Sequence, residues 1–254
     1  MRKKDSAALL NRKQATVADA GMKGMIPIGR PFLDFVLSAL ADAGFTRACL
    51  VIGPEHETVR DYYTKEMRPS RIGIHFAIQD KPLGTADAVL SAQDFAGQRD
   101  FVVINSDTYY PVRALESIRT SQAPAIAGFN RRALLEEGNI TRERITRFGA
   151  LDADEGGDLR RILVGKAAED APAGDDALAS MNCWLFDNRI FEACRLVPKS
   201  VRDEYELPQA VQLGIDRLGM KIRIVPVHAG VLDLSSRSDI ASVAEQLQGV
   251  EVRL

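Results

Sequence analysis

The sequence predicts an α/β fold: a Rossmann-like, mostly parallel mixed sheet with helices on both faces, in a single domain over residues 1–254. Apolar segments of strand length alternate with amphipathic segments of helix length through the first half, which is the pattern of consecutive βαβ units. Residues 101–104 (FVVI) are apolar at every position, as in a central strand covered on both faces. Neither a linker nor an internal repeat divides the chain, which favours one domain.

The first half contains three predicted helices and three predicted strands. The first helix has its apolar residues on one face and ends at Gly44, because glycine readily adopts the backbone conformation that closes a helix. The helices are expected over residues 31–44, 55–67 and 85–95, and the strands over residues 47–53, 71–79 and 101–104.

The second half is richer in strands. The apolar patterns predict strands over residues 145–153, 159–164, 179–186 and 221–227, and helices over residues 208–218 and 238–247. Residues 167–176 are rich in Gly, Asp and Ala, and their short length between two strands favours a loop within the domain.

The charge balance favours no polyanionic partner, because 33 basic and 35 acidic residues give a net charge of −2. A nucleic-acid partner is therefore not expected. No signal-peptide pattern follows the N-terminal basic residues, and no run approaches the roughly 18 apolar residues of a membrane span. The three cysteines lack CxxC spacing and are typical of reduced thiols. We expect a cytoplasmic protein without a membrane partner.

Two segments are expected at the carboxyl ends of strands, where open α/β sheets bind their ligands. The first, Gln79 to Thr85, offers a glycine for close backbone approach and a hydroxyl residue at the start of a helix. The second is Asn105-Ser106-Asp107, whose carboxylate is a ligand type that hard cations prefer. Singly, Thr85 is typical of a helix cap and Asp107 of a turn. Together they suit a nucleoside triphosphate with Mg²⁺.

These segments resemble the sugar-1-phosphate nucleotidylyltransferases. The run Gln79-x-x-Pro82-Leu83-Gly84-Thr85-Ala86-Asp87-Ala88 resembles the base-binding segment of that family, and Asn105-Ser106-Asp107 resembles its metal-binding strand end. Lys23, in KGMIPIGRP, is similar to the family's phosphate-binding lysine. Asp233, in DLSSRSDI, is similar to its second metal aspartate.

Three further segments resemble the sugar side of the family's site. FGAL, which contains Gly149, is similar to the strand before the sugar-binding lysine, and Lys166 would be that lysine. SMNCW contains Asn182, and EYELP contains Glu204 and Glu206. Carboxylates at the start of a helix are favoured by the helix dipole in any case, so Glu206 is interpreted as structural and Glu204 stays open.

The resemblance implies Mg²⁺-dependent nucleotidyl transfer from an NTP to a sugar 1-phosphate, giving an NDP-sugar and pyrophosphate. It implies catalytic roles for Lys23 and Asp107, and a Mg²⁺ site at Asp107 and Asp233. The implied nucleotide-binding residues are Gln79, Pro82, Leu83, Gly84 and Thr85. The implied sugar-phosphate-binding residues are Gly149, Lys166, Asn182 and Glu204. The partners would be these two substrates, with a homo-oligomer also possible. Gln79 gives a mild preference for uridine or thymidine, but the segments do not fix the base or the sugar.

The sequence also departs from the family. Members begin with a strand and a GxGTR loop that wraps the triphosphate, and both are expected to be missing here. Gly24 stands where proline is usual, Gly165 stands where a glutamate is common, and Trp184 replaces a small residue. Trp184 would belong either to the core or to the wall of the sugar pocket. These departures keep a second interpretation open: a catalytically silent subunit of the same fold that binds a nucleotide sugar or a sugar phosphate.

Overall fold

A computed structural model describes residues 22–164, 174 and 177–254. Its strands are β1 (Pro27–Ile28), β2 (Arg30–Pro31), β3 (Arg47–Ile52), β4 (Gly73–Ile78), β5 (Phe101–Val103), β6 (Thr108–Tyr109), β7 (Ala125–Asn130), β8 (Ala150–Ala153), β9 (Leu159–Leu163), β10 (Leu178–Phe186), β11 (Arg223–Val227) and β12 (Leu232–Asp233). Its helices are α1 (Phe32–Asp42), α2 (Glu57–Asp61), α3 (Thr85–Ser91), α4 (Gln93–Ala96), α5 (Val112–Arg119), α6 (Arg131–Glu137), α7 (Arg142–Ile145), α8 (Arg189–Leu196), α9 (Leu207–Leu218) and α10 (Asp239–Gln246). No described helix is long and apolar enough to cross a bilayer.

The main sheet is organised around β10, the longest strand of the described chain. On one side β10 runs antiparallel to β7, which in turn pairs in parallel with β11. On the other side its first half meets β8 and its second half meets β5, both antiparallel. β9 extends the sheet beyond β8. Every residue of β7 is buried, so the centre of this sheet is covered on both faces.

Three smaller ladders surround the main sheet. β3 and β4 pair in parallel over their full length of six residues. β12 pairs with β6, which places Asp233 opposite Thr108 directly after the end of β5. β1 pairs with β2 in a short hairpin. Among the described residues no ladder joins β3 to β5, and these two strands face a common cleft.

The predicted α/β class and mixed sheet are confirmed, although antiparallel ladders predominate in the main sheet. The reason is β10, which runs against three of its neighbours. Most predicted elements agree with the structure within a few residues. The segment predicted as one strand over 145–153 is different: Ile145 ends α7, and the strand begins only at Ala150. The helix predicted over 85–95 is interrupted at Ala92. Most of the loop expected at 167–176 lies outside the described residues.

A buried carboxylate fixes the first helix against the turn that follows α2. Asp34, in the first turn of α1, has no exposed surface. It accepts hydrogen bonds from Arg30 Nε and from the hydroxyls of Tyr62 and Tyr63, each at 2.9 Å. Burial, together with the adjacent carboxylate, raises the pKa of Tyr62 to about 12. Because Asp34 has an ionic partner and two further donors, its charge is compensated inside the protein.

We expect Asp34→Asn to lower the free energy of unfolding by about 3 kcal/mol, the lower end of the range for breaking a buried ion pair. The lower end applies because Arg30 remains one-third exposed and can be solvated after the change. Urea denaturation followed by circular dichroism measures the loss. Asp94→Asn, at an exposed position on α4, is the control and should change the stability by less than about 0.5 kcal/mol. Equal stability of the two variants would contradict this role for Asp34.

Candidate nucleotide site

A cleft of about 750 Å³ lies beside the main sheet and contains several of the predicted site residues. Its lining includes the polar side chains of Lys23, Asp107, Thr85, Asn182 and Glu204. Apolar residues of β3, β5 and α1 line an apolar slot of the same cleft. The cleft therefore combines charged groups with an apolar slot, a combination typical of small-molecule sites.

Lys23 and Asp107 form an ion pair in the lining of the cleft. Lys23 Nζ lies 2.6 Å from Asp107 Oδ2, and both side chains are partly exposed. The chain can approach this closely because residue 24 is glycine: a Cβ on Gly24 would lie 3.1 Å from the carbonyl oxygen of Ser106 and 3.4 Å from Leu33 Cβ. Gly24 thus lets the turn that carries Lys23 pack against the loop that carries Asp107. The structure brings the two predicted catalytic residues together.

Asp233 lies beside Asp107 but does not line the cleft. The backbone N–H of Leu234 donates to the carbonyl of Asp107 at 2.9 Å, which holds β12 against this loop. The side chain of Asp233 is 7% exposed and is ion-paired with Arg144. The hydroxyl of Ser235 donates to the same carboxylate oxygen. Burial raises the pKa of Asp233, and the nearby charge of Asp107 acts in the same direction.

The two aspartates differ in how well they fit a magnesium ion, which prefers oxygen ligands. Asp107 is 21% exposed at the cleft, and among the described residues only Lys23 contacts its carboxylate. This partly exposed carboxylate is therefore the more accessible of the two to a hard cation. Arg144 and Ser235 both contact Oδ2 of Asp233, and Oδ1 has only the Thr108 hydroxyl at 3.4 Å, so a metal ion at Oδ1 would meet the positive charge of Arg144 on the same carboxylate. The described residues contain no cluster of three or more His, Cys, Asp or Glu side chains that could hold a metal.

The predicted base-binding segment is held in place by its own contacts. Gln79 Nε2 donates to the carbonyl of Gly84 at 3.0 Å and to Asp87 Oδ2 at 2.8 Å, so its amide group closes the loop between β4 and α3. Gly84 has φ of +114°, and a Cβ there would lie 2.5 Å from the carbonyl oxygen of Tyr205. Glycine is therefore required for the close approach of the two segments. Of the segment from Gln79 to Thr85, only Thr85 lines the cleft.

Thr85 connects this segment to α9. Its hydroxyl oxygen accepts a hydrogen bond at 2.8 Å from the backbone N–H of Leu207, the first residue of α9. Thr85 is the first residue of α3, but its side chain accepts a backbone hydrogen bond from the first turn of α9. Glu206 precedes α9 and is ion-paired with Arg202 at 2.9 Å, and that hydrogen bond lowers the pKa of Glu206. The contact supports the structural interpretation of Glu206, although both Glu204 and Glu206 line the cleft.

Asn182 enters the cleft through a bulge in β10. The ladder with β7 shifts register between Ser180 and Trp184, and Asn182 has φ of +56°, in the left-handed region. The hydroxyl of the fully buried Tyr110 donates to the carbonyl of Met181 at 2.5 Å, which fixes the bulge from below. Trp184 has no exposed surface and stacks on Phe186, so the structure assigns it to the core.

The remaining sugar-side candidates lie elsewhere. Gly149 is buried between sheet strands and does not line the cleft; a Cβ there would overlap Ile162. Its carbonyl accepts a hydrogen bond from the N–H of Ser180 at 2.8 Å, and this hydrogen bond joins the start of β8 to β10. Lys166 lies outside the described residues. The structure also adds two arginines that the sequence analysis does not identify: Arg202 on the cleft wall and Arg144 on Asp233. No local sequence pattern marks Arg144, because its partner is 89 residues away.

Comparison with known proteins identifies the family. The family model described as nucleotidyl transferase matches residues 17–247. The chain belongs to the nucleotidyl transferase family. A UTP–glucose-1-phosphate uridylyltransferase of Haloferax volcanii, AglF, is 27% identical over 228 residues, covering 89% of this chain and 88% of the relative. A glucose-1-phosphate thymidylyltransferase of Streptomyces griseus is 26% identical over 231 residues, covering 89% of this chain and 60% of the relative.

Solved structures confirm the fold of this nucleotidyl transferase. A UDP-glucose pyrophosphorylase complexed with UDP-glucose superposes with a TM-score of 0.70 at 18% identity, covering 90% of this chain and 91% of the other. A UTP-bound UGPase from Acinetobacter baumannii gives a TM-score of 0.70 at 17% identity, covering 91% of this chain and 87% of the other. The architecture is therefore that of the nucleotidyltransferases, in one domain.

The three cysteines offer a probe of the cleft. Cys49 on β3 is partly exposed and lines the apolar slot, and burial raises the pKa of its thiol. Burial raises the pKa of Cys183 and of Cys194 to about 12. Because the thiolate is the reactive form, we expect a maleimide at pH 7.5 to modify Cys49 alone, slowly, in the native protein. Mass spectrometry after labelling measures this, with Cys49→Ser as the control. Rapid modification of two or three thiols in native protein would contradict the described packing.

Proposed function

We propose that this nucleotidyl transferase joins the nucleoside monophosphate unit of an NTP to a sugar 1-phosphate, giving an NDP-sugar and pyrophosphate. The observation that carries the proposal is the Lys23–Asp107 pair, which lines the cleft with Asp107 in the segment that follows β5. The names of the relatives, a uridylyltransferase and a thymidylyltransferase of glucose 1-phosphate, support this substrate class.

The reaction would require charge neutralisation more than proton transfer. A phosphate oxygen of the sugar 1-phosphate attacks the α-phosphorus of the NTP, a new P–O bond forms, and the bond to the departing pyrophosphate breaks. The attacking oxygen is already anionic, so no general base is needed. The protein must hold two anions together and oppose their repulsion. Lys23 fits this task because its ammonium group has three donors, of which the contact with Asp107 uses one.

Mg²⁺ is proposed as the cofactor, with Asp107 as its protein ligand and Asp233, which is buried and paired with Arg144, as the less accessible second ligand. A bound Mg²⁺ would polarise phosphate oxygens and neutralise part of their charge. Asp107 would anchor the metal-bound nucleotide at the cleft, while the adjacent Lys23 neutralises the phosphate charge that the metal leaves exposed.

The remaining polar residues would orient the two substrates. Asn182 and Glu204 line the cleft and offer an amide and a carboxylate for sugar hydroxyls. Lys166 is proposed to hold the sugar phosphate. Gln79 would act on the base indirectly, because its amide group maintains the loop conformation around Gly84.

A second candidate function is a silent subunit that binds a nucleotide sugar or a sugar phosphate. One observation favours it: Asp233, a candidate metal carboxylate, is buried and already paired with Arg144. Such a subunit would bind these ligands at the same cleft without turnover.

Pyrophosphate release distinguishes the two functions. The chain is incubated with Mg²⁺ and a panel of NTPs crossed with sugar 1-phosphates, and pyrophosphate is measured by a coupled assay. We expect release with one preferred pair. Silence across the panel, combined with saturable nucleotide-sugar binding by calorimetry, would contradict transfer and favour the binding subunit.

Asp107→Asn should lower kcat by about a hundredfold or more with the preferred pair, because the amide removes the charge that anchors the metal-bound nucleotide. Steady-state kinetics measure the loss, and circular dichroism checks the fold. Asp100→Asn is the matched control, since Asp100 is an exposed carboxylate immediately before β5. A kcat for Asp107→Asn close to that of the control would remove Asp107 from the site.

Lys166→Ala should raise KM for the sugar 1-phosphate about tenfold and leave KM for the NTP nearly unchanged, because one hydrogen bond between charged groups is lost on the sugar side. Substrate titrations measure both constants. Lys65→Ala, on an exposed lysine paired with Asp61, serves as the control. An unchanged KM for the sugar phosphate would exclude this role for Lys166.

A further inference from the structure

Arg144 joins two carboxylates behind the cleft. One guanidinium nitrogen is ion-paired with Asp233, and the other, Nη1, lies 2.7 Å from Asp239 Oδ1. The second oxygen of Asp239 accepts from the backbone N–H and the hydroxyl of Ser236, at 2.7 and 2.9 Å. The planar fork of the guanidinium thus binds one aspartate at the end of β12 and another at the start of α10.

The environment of Arg144 makes this contact persistent. Its side chain is 17% exposed, Asp233 is 7% exposed and Asp239 is 10% exposed, so water competes weakly for the pair. Arg144 is carried by α7, which the buried side chain of Ile145 anchors. If the guanidinium of Arg144 moved away from the two aspartates, it would lose these hydrogen bonds and would not be fully solvated in exchange.

Two ion-paired groups lie at and behind the cleft before any ligand binds. Lys23 faces Asp107, while Arg144 faces Asp233 and Asp239. These five side chains carry two positive and three negative charges, and the cleft lining adds Arg202, Glu204 and Glu206. A divalent cation is drawn to clustered, uncompensated carboxylates, and a guanidinium already seated on one of them opposes its approach.

We propose that Arg144 is a positioning residue that gives Asp233 an internal cation and confines a bound divalent ion to Asp107. This inference rests on the proposed function in one respect, the assignment of Asp107 to the metal. Arg144 occupies Oδ2 of Asp233 and places its positive charge on the carboxylate whose Oδ1 would otherwise be the second ligand. The chain alone binds a divalent ion weakly, and the nucleotide phosphates supply the other ligands.

The test measures binding of Mn²⁺ alone to the folded chain, from the electron paramagnetic resonance signal of the free ion. Asp233→Asn should change Kd by less than twofold, because Asp233 does not contact the ion. Combining Arg144→Gln with Asp239→Asn should lower Kd at least fivefold, because Asp233 is then free to bind. That combination removes one charge of each sign, so the net charge is unchanged. Adding Asp233→Asn to it should abolish the gain.

Two results would overturn the proposal. The first is a Kd at least fivefold weaker for Asp233→Asn, which would show that Asp233 is already a ligand. The second is an unchanged or weaker Kd for the charge-balanced combination with a native circular dichroism spectrum. If that combination does not fold, Arg144→Gln decides: it should bind Mn²⁺ at least fivefold more tightly than the unaltered chain, and adding Asp233→Asn should abolish the gain.

Arg142→Gln is the matched control on the same helix, at an exposed position, and should leave Kd unchanged within twofold. Because neither nucleotide nor sugar phosphate is present, the result does not depend on turnover. A chain that fails to release pyrophosphate can still show the predicted pattern of Mn²⁺ binding, so the failure of one proposal is distinguishable from the failure of the other.

Discussion

The bulge in β10 is the constraint on which the site depends. A regular strand pairs with one neighbour on each side, but β10 pairs on one side first with β8 and then with β5. Between these ladders the backbone shifts register and turns Asn182 into the left-handed region. Bulges of this kind redirect a side chain at the edge of a site. Here the redirected side chain lines the same cleft as Asp107, which follows β5.

The local pattern of the sequence predicts where helices and strands lie better than it predicts which of them pack together. The apolar run at β5 and the polar residues after it are visible in the sequence, and the structure places Asp107 at the cleft as expected. β7 is not predicted from the sequence, although every residue of that strand is buried at the centre of the sheet. Its small residues, including Gly128, give little periodicity. A Cβ on Gly128 would lie 2.9 Å from Ile224 on the neighbouring strand, a tertiary reason for glycine that a local pattern does not contain.

Site residues show the same division. Lys23 and Asp107 are each predicted as catalytic from their resemblance to a family, and the structure places them in contact. Gly84 is expected to allow close approach of a ligand, whereas its closest neighbour in the structure is the backbone of Tyr205. Arg144 is not predicted from the sequence, because its role depends on Asp233, a carboxylate that is distant in sequence and that only the fold brings near. Membership of the nucleotidyl transferase family is consistent with all three observations.

The proposed function requires that the nucleotide binds where the β10 bulge meets the end of β5. Hydrogen–deuterium exchange with and without NTP and Mg²⁺ tests this claim most directly, because it reports the location of binding without requiring turnover. The account predicts slower exchange in peptides that contain residues 22–24, 85–92, 104–107 and 180–184, with no change in α8 on the outside of the fold. Protection confined to other segments, or no protection at a saturating nucleotide concentration, would contradict it.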